Sequence, residues 1–279
     1  GPLPRALRAG VDRVSQLTGA VALERLAARR DRLLVPSWPA VLILMAGLIG
    51  MAAYEWARLS HFPPLAARAY TVLLALGALT LPRVLDASWP MFQTGLIVLA
   101  IAFWLLVAPL WLLARWRVEP WVVRAVVGGV LLLPTWAALL YLHARGPGIL
   151  LGVMAIVWIA DTAAYFAGRR FGRHKLAPAI SPGKTWEGVA GALAALALYA
   201  AALSAVAGMP LLFLFFAVSG LLYMSVLGDL FESWIKRVSG MKDSGSVLPG
   251  HGGVLDRIDA LTSTLPIATG LMMWLERIA

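Results

Sequence analysis

Eight stretches of this chain are apolar over lengths near 20 residues, and that pattern limits the fold more than any other. A bilayer core of about 30 Å is crossed by about 20 helical residues, a length that a core helix of a water-soluble domain rarely needs. The runs lie near residues 38–57, 67–82, 92–114, 121–142, 148–167, 187–207, 210–228 and 258–276. Composition points the same way: 61% of the 279 residues are hydrophobic and 14% are charged, where soluble domains carry about 25% charged residues. Inside lipid every backbone N–H and C=O must be satisfied within the protein. The expectation is therefore an all-α, polytopic transmembrane helical bundle of about eight to nine spans. The net charge of +10 suits anionic headgroups or anionic substrates. With no soluble basic domain, nucleic acid is not an expected partner. The chain has no cysteine, which excludes disulfide and thiolate chemistry.

Three regions follow. Residues 1–35 hold seven arginines and three acids without an apolar run of spanning length, and read either as a basic amphipathic segment lying on the membrane or as hiding a further crossing. Residues 36–145 read as amino-terminal transmembrane helices. Residues 146–279 read as a catalytic transmembrane region with two polar loops, near 168–186 and 229–257. These loops flank two spans joined by the tight turn Gly208-Met209-Pro210, so both face the same side. Arg58, Arg68, Arg115 and Arg117 fall on that side as well, against Arg83, Arg145 and Arg277 on the other. The positive-inside rule makes the loop face cytoplasmic. Eight spans then put the arginine-rich residues 1–35 on the opposite side, in conflict with the same rule.

The loops carry the chemistry. The chain has 20 arginines and four lysines, Lys175, Lys184, Lys236 and Lys242, all within the two polar loops. A compact ammonium is preferred there over a planar guanidinium, as contact with polyphosphate would require. Asp229, Ser233 and Lys236 are spaced for one helical face, and Glu232 with Lys236 reads as a solvated surface pair. Asp229 and Asp161 sit at or inside apolar spans, where a carboxylate is costly and marks a role. The stretch KDSGSVLPGHGGVLDRIDAL, residues 242–261, packs three carboxylates, a lysine, an arginine, a histidine and four glycines between two long apolar runs. Its Gly250-His251-Gly252-Gly253 run lets backbone N–H groups approach a phosphate, at the amino end of a helix that favours an anion. Asp256 and Asp259 share a face of that helix. Carboxylates beside phosphate need a hard cation between them, so Asp229, Asp256 and Asp259 read as Mg²⁺ ligands. Arg257, Lys236 and Lys242 would neutralise the remaining charge. Ser181-Pro-Gly-Lys184-Thr185 contains the GKT of a P-loop, yet the required upstream glycine position is Pro178. It reads as a separate phosphate grip. His174 and His251 have no partners at zinc-ligand spacing.

The run Ser233-x-x-Lys236-Arg237, Lys242-Asp243-x-Gly245, Leu248-Pro249-x-His251-Gly252-Gly253 and Asp256-Arg257-x-Asp259 resembles the signature of the phosphatidate cytidylyltransferases, also called CDP-diacylglycerol synthases. The segment from Asp161-Thr162 to Gly188, with SPGKTWEG inside it, resembles a second block of that family. The likeness runs from about residue 38 to the carboxyl end and fails over roughly the first 35 residues. It implies a bacterial inner-membrane enzyme that transfers CMP from CTP to phosphatidic acid, giving CDP-diacylglycerol and pyrophosphate. It further implies Mg²⁺ dependence, room for a second, monovalent cation, a homodimer, and a site facing the cytoplasm. The family's functional positions fall on Asp229, Ser233, Lys236, Asp256 and Asp259. The remaining candidates for substrate contact are Asp161, Lys184, Thr185, Lys242, His251, Gly252 and Gly253. A CTP-dependent polyprenol or lipid kinase and an ion-coupled transporter are the competing readings.

Overall fold

The computed structural model describes Gly10 and residues 37–245 and 252–278. The basic amino-terminal segment (Gly10 apart) and His251 lie outside the described residues. Nine α-helices are described: α1 Ser37–Leu59, α2 Pro64–Leu85, α3 Trp89–Ala102, α4 Ala108–Ala114, α5 Trp121–Arg145, α6 Pro147–Phe171, α7 Trp186–Ala207, α8 Leu211–Val238 and α9 Leu255–Ile278. A π-helical turn, Phe103–Val107, joins α3 to α4. It precedes Pro109, which has no N–H to give to the preceding turn.

Seven continuous helical runs are long and apolar enough to cross a bilayer. One of them, Pro64–Ala114, is 51 residues long, roughly 76 Å if straight, which is too long for one pass. It is broken at Asp86, where φ is 38°, followed by a short 3₁₀ turn over Asp86–Ser88. Both ends of the run lie at one face of the molecule: Tyr70 near its start donates to the Ala125 carbonyl, and Trp116 just past its end shares a small void with Trp56 and Arg124. Its middle, at Arg83 and Val84, borders Pro39 and Ile43 at the start of α1. The run is thus two passes, and the described chain makes eight, as the apolar runs suggested. Gly10 abuts Met209 on the face opposite the polar loops, where a Cβ would fall 2.6 Å from the Met209 Cγ.

Two features matter for the site. The first polar loop departs from the helical expectation with an antiparallel hairpin, β1 Lys175–Ala177 and β2 Ser181–Thr185. Second, α8 and α9 run beyond the apolar stretches, so Asp229–Lys236 and Asp256–Asp259 are helical, as their spacing suggested. Hydropathy marks where lipid ends, not where the backbone ladder ends, and polar residues continue a helix readily.

One core joins the two halves of the chain: Trp56, Trp104, Trp136, Phe231 and Leu265 are all fully buried in it. Pro266 illustrates how the core tolerates a helix breaker. The proline cannot donate to the Thr262 carbonyl one turn back. That carbonyl accepts instead from Trp104 Nε1 at 2.9 Å and Thr135 Oγ1 at 3.4 Å, which meets the rule for backbone in lipid.

Candidate active site

The hairpin delivers Lys184. Thr185 is the amino-terminal cap of α7, its hydroxyl accepting from the Gly188 N–H at 3.1 Å, and this fixes where β2 ends. Glu187 in the first turn accepts from the His174 backbone N–H and contacts its ring at 2.6 Å, tying the hairpin's two ends. Arg237 from α8 donates to the Ile180 carbonyl at the hairpin tip. So held, Lys184 places its Nζ 2.5 Å from Asp229 Oδ2. The two sequence blocks therefore meet in space.

Asp229 stands where α8 and α9 touch. A Cβ on Gly228 would fall 2.5 Å from Ser263 Oγ and 2.8 Å from the Asp259 carbonyl oxygen, so only glycine admits this approach. It sets Asp229 within electrostatic reach of Asp259. Ser233 donates to Asp229 Oδ1 at 3.2 Å. One turn on, Lys236 reaches Asp256 Oδ1 at 2.7 Å and Glu232 Oε1 at 3.2 Å. The expectation for Glu232 needs correcting: its side chain is 5% exposed, not solvated, because α8 continues as a packed helix there. Neither of its carboxylate oxygens has a hydrogen-bond partner among the described residues. The Lys236 contact is a charge contact only.

Asp256 is the most heavily bonded acid of the group. Besides Lys236 it accepts from the backbone N–H of Gly253 at 2.8 Å and of Ser244 at 3.0 Å. The next two N–H groups of the α9 start, Val254 and Leu255, donate to Glu55 of α1 at 3.0 and 2.7 Å. The backbone donors of Gly253, Val254 and Leu255 thus face protein carboxylates here. Gly252, at φ +79°, would bring a Cβ to 2.8 Å from Asp256 Oδ2.

A cavity of about 480 Å³ lies beside these residues, bounded by Asp161, Arg169, Gly183, Lys184, Thr185 and Asp229. Asp161 is exposed within its helix and borders the cavity. Tyr165 accepts from Arg169 at 3.2 Å at the same mouth. Lys242 and Arg257 are exposed on the polar face.

A model of the cytidylyltransferase family matches residues 32–275. The chain belongs to this family. Phosphatidate cytidylyltransferase of Pseudomonas aeruginosa is 38% identical over 245 residues, covering 82% of this chain and 86% of that protein. The enzyme of the same name from Haemophilus influenzae is 48% identical over 129 residues, 44% of each chain. That of Brucella suis is 51% identical over 117 residues, 40% of this chain and 42% of the other.

In this cytidylyltransferase the sequence pointed to Asp229, Ser233, Lys236, Asp256, Asp259 and Lys184, and the structure gathers them at one end of the bundle. It missed Glu55 and misjudged Glu232. Glu55 is 0% exposed and stands alone as an acid in an apolar span, the same signal that singled out Asp161. Among the described residues no three acid or histidine side chains are gathered as a ready metal cage. The donor set is all oxygen, which suits a hard cation. Mg²⁺ ordinarily takes only one or two carboxylates and completes its shell with water and substrate phosphate, so the arrangement fits it.

Proposed function

We propose that the cluster around Asp229 and Lys236 transfers the cytidylyl group of CTP to phosphatidic acid. The observation that carries this reading is the Lys184–Asp229 contact, which joins two lysine-bearing blocks beside a cavity at the end of an apolar bundle. A phosphate oxygen of phosphatidic acid attacks the α-phosphorus of CTP; the bond to the β-phosphate oxygen breaks, and pyrophosphate leaves. A phosphomonoester has a second pKa of about 6 and is already largely ionised near pH 7, so no side chain need remove a proton. The task of the residues is to bring two anions together in line.

Lys184 and Lys236 supply positive charge on either side of Asp229. Both ammoniums already rest on carboxylates, and each has further N–H donors to turn toward phosphate. Of the three expected ligands, Asp256 is already taken up by Lys236 and the N–H groups of Ser244 and Gly253, so Asp229 and Asp259 are the pair that would hold Mg²⁺, while Asp256 orients Lys236 and the start of α9. The cation would screen the approaching phosphates and stabilise the leaving pyrophosphate. The cavity by Asp161, Lys184 and Arg169 suits the phosphate end of the lipid. The polar face is assigned to the cytoplasm of a bacterial inner membrane on the arginine distribution. The enzyme works as a homodimer, as the family likeness implies, with space for a second, monovalent cation.

Labelled CTP, phosphatidic acid and the purified protein in detergent test the reading directly. CDP-diacylglycerol with released pyrophosphate is the expected product. A lipid carrying only an added phosphate would replace it with a kinase.

A further inference from the structure

We infer that Glu55 is a positioning residue for cytidylyl transfer: it clamps the start of α9 to the Ser244–Gly245 segment and so sets where Asp256 and Lys236 stand. Glu55 lies one turn from the end of α1, fully buried. Its carboxylate accepts from the N–H of Val254 at 3.0 Å, from the N–H of Leu255 at 2.7 Å and from Ser244 Oγ at 3.2 Å. The first N–H groups of a helix have no partner within it, and they carry the positive end of the helix dipole. A buried carboxylate on them is both satisfied and neutralised.

The clamp reaches the reacting groups through Ser244. Its hydroxyl bonds Glu55, and its N–H bonds Asp256, which in turn holds Lys236. The neighbouring glycines are shaped around it. A Cβ on Gly245 would fall 2.6 Å from Glu55 Oε1, and one on Gly253 would fall 2.4 Å from Glu55 Oε2 and 2.3 Å from Ser244 Oγ. Two glycines of the motif are therefore required by a carboxylate about 190 to 200 residues away in sequence. Glu55 does not border the cavity beside Lys184 and Asp229, so it acts through Ser244 and the α9 backbone. The same geometry leaves the amino end of α9 filled by the protein's own anions, and substrate phosphate is held by the lysines instead.

The inference rests on the cytidylyltransferase activity but not on the identity of its metal, and an inactive parent protein would separate the two. Glu55→Gln, Gly245→Ala, Glu55→Ala and the Glu55→Ala/Gly245→Ala pair are purified, checked by thermal melting and gel filtration, and assayed for CDP-diacylglycerol. Gln keeps the shape but turns an amide NH₂ toward a backbone N–H. Glu55→Gln is expected to lower kcat per folded molecule by about 10- to 100-fold, with KM for CTP within about threefold of the parent. Gly245→Ala should do comparable damage alone but add less than about twofold in the Glu55→Ala background, since the obstructing carboxylate is gone. A Glu55→Gln protein that melts lower yet turns over at the parental rate makes Glu55 merely structural and overturns the inference. So does strict additivity of Glu55→Ala and Gly245→Ala. Should Glu55→Ala fail to fold, parental kcat in Gly245→Ala alone is enough to reject the clamp.

Discussion

The two ends of α9 use opposite kinds of charge pairing. At its carboxyl end Glu276 takes Arg145 of α5 in a two-pronged contact, Nε at 2.5 Å and Nη2 at 2.6 Å, with Tyr141 donating a third bond at 2.7 Å. The guanidinium also lies over the Tyr141 ring, 3.2 Å from its centroid. Near the amino end Lys184 meets Asp229, and Lys236 meets Asp256 and Glu232, each through a single ammonium. A fork matched to a carboxylate commits its donors and pins two helices. An ammonium is a point charge with three donors and a flexible stem, able to give up one acceptor for another. One end is built to stay shut, and the other is built to trade a carboxylate for a phosphate.

Removing the cation should separate the ends most sharply. Exhaustive EDTA is expected to bring cytidylyl transfer to background and Mg²⁺ to restore it, with a zinc-selective chelator having little effect and the melting temperature nearly constant. Persistence of full activity in EDTA would mean that the lysines alone manage the charge.

Asp229→Asn and Asp256→Asn come next. Each is expected to lower kcat by about 100- to 1,000-fold, the scale of losing a preorganised electrostatic contact, while the protein still inserts and elutes as the parent. Near-parental rates at saturating Mg²⁺ in either variant would take that acid out of the reacting group.

Lys236→Arg tests the contrast itself. Charge is kept, but a wide planar head in place of a point charge should misplace the phosphate or the acids by about 1 Å, costing on the order of 100-fold. Lys236→Ala should be at least as harmful. Should Lys236→Arg stay within about twofold of the parent, the distinction between fork and point charge has no functional content.

The smallest effect belongs to the far end. Arg145→Lys loses the fork at a partly exposed site, so a stability cost of about 1 kcal/mol or less is expected, read as a slightly lower melting temperature. Turnover per folded molecule should not change; a fall in kcat there would show the two ends to be coupled along α9.

Much of this was readable from residue order alone. The eight passes follow from the length of apolar runs, because lipid imposes a length on helices that packing in water does not. The lysines announced the reactive face because arginine serves every other basic position. What escaped was set by distance. Glu55 looks like one stray acid in Ala52-Ala53-Tyr54-Glu55-Trp56 until its partners, 189 to 200 residues on, fold against it. Glu232 was misread for the opposite reason. Its i, i+4 spacing to Lys236 is also that of a surface pair, and only the packing of α8 against its neighbours shows the side chain to be buried. The glycines before α9 were read as room for a phosphate to approach the backbone, whereas at Gly252 and Gly253 the protein's own side chains stand closest. The neighbours that require them, Glu55 and Asp256, are tertiary information.

The cap that Glu55 provides also has a consequence in time. The ribosome makes α1 long before α9, so Glu55 waits beside the membrane surface without Val254, Leu255 and Ser244 to bond it. Domains and segments made first must tolerate such waiting. The inserting chain therefore holds a bare carboxylate through the synthesis of seven further passes, and the last helix both quenches that charge and completes the site. A polypeptide stopped before α9 keeps an acid in α1 without the two backbone donors of Val254 and Leu255 that answer it in the folded protein.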